Sequence, residues 1–177
     1  MKTTLSLVLF TALSLVVVGC TQSSDTTRTT NSDEVLSPEM RKYVLTSEPS
    51  GAQEVIAVRE SAKDDDEITI VGRIGGSANP WVEGLAAFSI VDPSLKACSD
   101  IPGDACEVPW DYCCETDKLP GATALVKVVD QNGDVLKADA RQSLLLDELQ
   151  TVVVHGKAKR DAEGNLTVLA DSLYVRK

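Results

Sequence analysis

The sequence has one histidine in 177 residues and few aromatic side chains, 4% in all. That histidine, His155, falls in a segment that reads as a strand, and no Gly-x-Ser-x-Gly nucleophile motif occurs. Hydrolase chemistry built on a serine or a histidine relay therefore lacks its parts, and the chain is expected not to be an enzyme. Basic residues are also scarce, with 17 Lys and Arg against 27 Asp and Glu and a net charge of −10. Such a protein repels phosphate backbones, which removes nucleic acid from the expected partners. Nor is there an apolar run of the roughly 20 residues needed to span a bilayer. Finally, the cysteines contain no Cys-x-x-Cys pair, so neither the thioredoxin-type redox motif nor the paired knuckles of structural zinc sites are present.

What is present begins at the amino terminus. Lys2 supplies a positive region, Leu5 to Val18 an apolar stretch broken only by Ser and Thr, and Val17-Val18-Gly19-Cys20 follows at once. The length and flanks fit a cleaved export signal over residues 1–19. Val-Val-Gly-Cys resembles the lipobox of bacterial lipoproteins, which implies acylation, palmitate included, at Cys20. Each buried methylene contributes about 0.8 kcal/mol, so the two or three chains the resemblance implies give a stable membrane anchor. Thr21 stands where inner-membrane retention signals carry Asp. By resemblance to that sorting rule, the cell envelope and its outer membrane, facing the periplasm, are the expected location.

Thr21 to Asp33 contains no large apolar residue and cannot offset the entropy of ordering. Residues 20–48 are expected to be a tether with a reach of about 30 Å. Within it, Met40 to Leu45 reads equally as a strand or a helical turn packed on the domain. A helix is expected from Ser50 to about Ala62, with Ser50 as its cap and Gln53 completing a capping box. The acidic run Asp64-Asp65-Asp66 after it reads as a solvated turn. Alternating patterns then mark strands at 67–74, 85–91, 124–129, 151–159 and 166–175, with one or two helical turns at 143–149. Gln131-Asn132-Gly133-Asp134 and Asp161 to Asn165 read as hairpin turns. Asp130-x-Asn132-x-Asp134 imitates half a calcium loop, but the following glycine is missing and position twelve is Arg141.

Five strands with a short helix between the third and fourth predict a mostly β domain over residues 49–177, a small five-stranded OB-like barrel with an N-terminal helix. Gly72 and Gly156 lie inside strands, where glycine permits the coiling that closes a small barrel. Helix, acidic turn and the strand Ile68-Thr69-Ile70-Val71-Gly72-Arg73-Ile74 resemble the periplasmic bacterial OB-fold family.

A long insertion, residues 92–123, separates strands two and three. It holds Cys98, Cys106, Cys113 and Cys114, four prolines, Trp110 and Tyr112. Pro109-Trp110-Asp111-Tyr112-Cys113-Cys114-Glu115, with Gly75 to Val82 upstream, resembles a lipoprotein family of planctomycete-type bacteria, and this resemblance brings no activity with it. With Cys20 acylated, four cysteines remain in an oxidising compartment, which predicts disulfides. Joining adjacent Cys113 and Cys114 would strain the chain, leaving one crossing and one nested pairing. Each bridge would contribute about 2–4 kcal/mol. The alternative is thiolate binding of zinc or copper, with no other cofactor expected.

Trp81, Trp110 and Tyr112 are candidates for stacking on a ligand, as exposed aromatics do on OB barrels. The competing expectation is that Trp81 and Trp110 pack together beneath the cysteine loop. The functional reading is a lipid-anchored, non-enzymatic binding or structural module with an unspecified protein or small-molecule partner. A thiolate metal-binding lipoprotein is the other reading.

Overall fold

The computed structural model describes residues 36–177. The expected signal 1–19, Cys20 and the first part of the tether lie outside the described residues. Residues 36–48, assigned on sequence to the end of the tether, instead pack on the barrel. A short helix α1 (Pro38–Arg41) is capped by the Ser37 hydroxyl, which accepts from the Met40 N–H. Met40 and Tyr43 are buried in the main core, and Val44 bridges to Leu173. The ambiguous Met40–Leu45 segment is thus a helical turn followed by a strand-like contact.

The next expected helix is shorter than its pattern suggests. Gln53–Glu54 forms a two-residue strand, β1, and α2 runs only over Val55–Ser61. Ser50 is not its cap, and the helix has no cap from its own flanking side chain. The buried carboxylate of Asp92 performs that role from 36 residues away, accepting from the Ile56 N–H at 2.7 Å. A carboxylate there also complements the helix dipole. At the other end the Arg160 guanidinium donates to the carbonyls of Val58, Arg59 and Ala62. Both ends of α2 are therefore satisfied by distant parts of the chain. Val55 and Val58 point into the main core.

The acidic turn after α2 is solvated and paired with the barrel: Lys159 contacts Asp64 at 3.2 Å and Asp65 at 2.7 Å. Five longer strands follow: β2 (Glu67–Ile74), β3 (Ala87–Val91), β4 (Thr123–Val128), β5 (Thr151–Arg160) and β6 (Leu166–Val175). Their order is β2-β3-β4-β6-β5, and β5 pairs back onto β2, which closes the barrel. All contacts are antiparallel except β4 with β6. The extra strand β1 lies parallel to β2. Between β3 and β4 lies α3 (Leu119–Ala122), and between β4 and β5 lies α4 (Ala140–Leu144), capped by Asp139 and starting three residues before the expected turn. The protein is mostly β, a closed five-stranded OB-like barrel with one added strand.

Alternation positions the core. Ala124, Val126 and Val128 of β4 face inward, as do Val152, Val154 and Ala158 of β5, while Lys157 faces solvent. The two strand glycines stand where backbones crowd. A Cβ on Gly156 would lie 2.1 Å from the Leu169 carbonyl oxygen, beside the bulge at His155/Gly156. One on Gly72 would lie 3.0 Å from Ile90 and from the Val91 carbonyl oxygen. Both glycines permit the barrel to coil, as the sequence suggested. The Asp130 to Asp134 segment is a turn, in which Asp130 accepts from the Asn132 and Asp134 N–H groups.

Candidate functional site: the cysteine loop

The insertion between β3 and β4 builds a second small core on the outer face of the barrel. Tyr112, Leu95, Ala97 and Ala122 pack there against Val91 of β3, with Ile56, Leu119 and Leu149 at the margin. Tyr112 is the largest fully buried side chain of the described residues. It adopts a left-handed backbone, φ 58°. That reverses the chain after the single helical turn Pro109–Asp111 and delivers Cys113 and Cys114 to the surface. Burial raises the Tyr112 phenol above its ordinary pKa, and its hydroxyl has no hydrogen-bond partner among the described residues.

The two motifs that the sequence set apart meet here. The Gly76 N–H donates to the Trp110 carbonyl at 2.8 Å, and the Trp110 indole N–H donates to the Ala78 carbonyl at 3.1 Å. A Cβ on Gly75 or Gly76 would collide with Trp110 and Tyr112 or with Val91. Glycine is required at both positions by close approach of the loop.

This arrangement corrects the aromatic expectations. Tyr112 is fully buried and presents no face to a ligand. Trp81 and Trp110 do not form a joint core. Trp81 tilts against Phe88, with ring centroids 5.9 Å apart, and its indole N–H donates to Glu148 at 2.9 Å. Trp110 is half-buried and belongs to neither apolar cluster. The satellite core exists, and Tyr112 is its centre.

The four loop cysteines converge. Cys98 Sγ lies 3.3 Å from Cys113 Sγ, and Cys106 Sγ lies 3.8 Å from Cys113 Sγ. Cys98 is buried, Cys106 half-buried, and Cys113 and Cys114 exposed. A disulfide needs about 2.05 Å between sulfurs, and none of the four is at that distance from another. Asp111 Oδ1 accepts from the Cys113 N–H at 2.8 Å and lies 3.9 Å from Cys98 Sγ. Cys114 Sγ lies 3.7 Å from Asp104 Oδ2. Burial pushes the Cys98 thiol up. Hydrogen bonds from the Cys113 side chain and from the backbone N–H groups of Cys114 and Cys113 outweigh that and hold it below the ordinary thiol range. The Cys113 thiol, in contact with the sulfurs of Cys98 and Cys106, is pushed up in turn. Several sulfurs brought this close suit a soft cation or, given an oxidant, disulfide formation. The sequence identified these four residues; it could not indicate that Asp111 and Asp104 stand among them.

His155 sits on β5 between two carboxylates. Its Nδ1 is 2.9 Å from Asp171 and its Nε2 is 3.2 Å from Glu67. It is not near the cysteine loop's metal-capable groups among the described residues.

No family model and no curated protein matches this sequence. Among solved structures, the chain is similar to the hypothetical protein ygiW from E. coli at 14% identity. The match covers 72% of this chain and 94% of that one, with a TM-score of 0.39.

Proposed function

We propose that this chain is a non-enzymatic lipoprotein of the cell envelope, held at a membrane by acyl chains on Cys20, whose OB-like barrel presents the 92–123 loop as a rigid binding element. The observation that supports this reading is the docking of the loop. Tyr112 and its neighbours fix it to β3, and Gly75 and Gly76 receive its Trp110 backbone. A loop ordered before binding has less entropy to lose when a partner arrives. Trp110, half-buried at the loop surface, is the aromatic left to contact a protein or small molecule. The acidic balance argues against nucleic acid as that partner. Thr21 favours the outer membrane.

The test of anchoring is metabolic labelling with palmitate followed by membrane fractionation. The wild-type chain should take up label, lose residues 1–19 and sediment with outer membrane. Cys20→Ser should be unlabelled and leave the membrane fraction. A wild-type protein that stays soluble in the cytosol with Met1 retained would sink the proposal.

A further inference from the structure

We propose that Cys98, Cys106, Cys113 and Asp111 form a site for one thiophilic divalent cation, zinc in class, held by three thiolates and one carboxylate oxygen. This goes beyond the anchored-barrel reading and does not depend on Cys20. The donors come from three separate stretches of the loop: the single helical turn beginning at Cys98, the segment around Cys106, and the reversal at Tyr112 that precedes Cys113. One ligand atom from each of the four residues lies within 4.8 Å of every other.

The spacing matches coordination. Four donors around a zinc ion with Zn–S near 2.3 Å stand about 3.8 Å apart along each tetrahedral edge. The observed Cys106–Cys113 separation is 3.8 Å and the Cys98–Cys113 separation 3.3 Å. The remaining donor pairs lie within 4.8 Å, so closing on a common centre needs movements of up to about 1 Å. Asp111 is held in place by the Cys113 N–H, which donates to its Oδ1, and a hydrogen bond of this kind orients a ligand. Sulfur donors select soft or borderline metals over calcium or magnesium, and the carboxylate favours zinc over cuprous copper.

Cys114 is excluded from this set. It groups only with Cys98 and Asp104, not with Cys106, Asp111 and Cys113 together. The adjacent pair therefore divides: Cys113 is a ligand and Cys114 a bystander. Coordination releases the proton of each bound thiol to solvent and leaves the sulfurs unavailable for disulfide exchange.

The full-length protein, isolated without chelator from whichever cell fraction holds it, is assayed for zinc and free thiols, then stripped, kept reduced under anaerobic conditions and titrated with Zn²⁺ and Co²⁺. One equivalent should bind, with the thiolate-to-cobalt charge-transfer and tetrahedral bands of a three-sulfur site. Cys106→Ser and Cys113→Ser should each weaken binding by more than the about 10- to 100-fold typical of losing an outer-shell partner. Asp111→Asn should weaken binding while the charge-transfer bands persist. Cys114→Ser should bind like wild type. Circular dichroism of each variant confirms the folded barrel. Protein isolated with two disulfides and no zinc overturns the site, as does a folded, reduced chain that binds neither ion. Loss of binding in Cys114→Ser equal to that in Cys113→Ser overturns the three-sulfur assignment.

Discussion

Gly75 and Tyr112 touch across the space that a side chain at position 75 would fill. A Cβ there would lie 2.9 Å from Tyr112 Cε2 and 2.6 Å from the Trp110 carbonyl oxygen. The carbonyl belongs to backbone and cannot swing away, so the loop itself must lift. Gly75→Ala should cost about 1–3 kcal/mol, the range for overpacking a fitted contact. Urea unfolding measures it, and hydrogen exchange at 109–115 should quicken before the barrel strands do. Gly121→Ala is the control, because nothing lies within 4 Å of its Cβ position. Equal midpoints for the two variants would remove the claim that the loop is docked through Gly75.

Asp92 carries the next prediction. Its carboxylate is almost fully buried and accepts from the Ile56 N–H at 2.7 Å, the Ser94 N–H at 2.9 Å and the Ser94 hydroxyl at 2.5 Å. It thus joins the start of α2 to the root of the cysteine loop. Asp92→Ala leaves those donors without their acceptor, and a buried donor without a partner costs about 1–3 kcal/mol. Chemical denaturation should show the loss. Asp92→Asn, which keeps one accepting oxygen, should lose less. An alanine variant as stable as wild type would mean that water replaces the carboxylate.

These two sites mark where sequence reading stopped. The strands were legible because alternation is local: Val152, Val154 and Ala158 declare an inward face without reference to the rest of the chain. The start of α2 was not legible, since its cap arrives from Asp92, and Ser50 offered a plausible local substitute. Gln53 and Glu54 show no pattern because both are exposed, and only their pairing with Ile70 and Val71 makes them a strand. In the loop, residue identity was visible and convergence was not. A tyrosine between prolines and cysteines reads alike whether it stacks on a ligand or fills a core. The left-handed turn at Tyr112 that delivers Cys113 and Cys114 to the surface has no glycine to announce it.

Gly156 offers a sharper test of barrel closure. The bulge at His155/Gly156 brings β5 so close to β6 that an added Cβ would meet the Leu169 carbonyl oxygen at 2.1 Å and the Ala170 Cα at 2.8 Å. Both are backbone atoms of β6, so relief requires the strands to part. Gly156→Ala should destabilise at least as much as Gly75→Ala, at or above the about 3 kcal/mol end of the overpacking range. Thermal melts followed by far-ultraviolet circular dichroism, which reports the barrel, provide the comparison. A smaller loss at Gly156 than at Gly75 would show that the bulge absorbs the methyl group.

His155 makes stability depend on pH with a definite sign. Its ring is hydrogen-bonded to Asp171, and that bond raises its pKa; burial opposes the rise, and the charges of Asp171 and Glu67 add to it. The unfolded chain has a histidine pKa of about 6.5. A group whose folded pKa is the higher one binds its proton more tightly when folded, so protonation stabilises the native state. The contribution is full below about pH 6.5 and disappears as pH rises through the elevated folded value. Melting temperature should therefore fall in the wild type as pH rises from about 6.5 through the elevated folded value. His155→Gln keeps a polar side chain on the strand but cannot titrate, and its profile should be flatter there. Parallel profiles for the two proteins would assign the slope to another group.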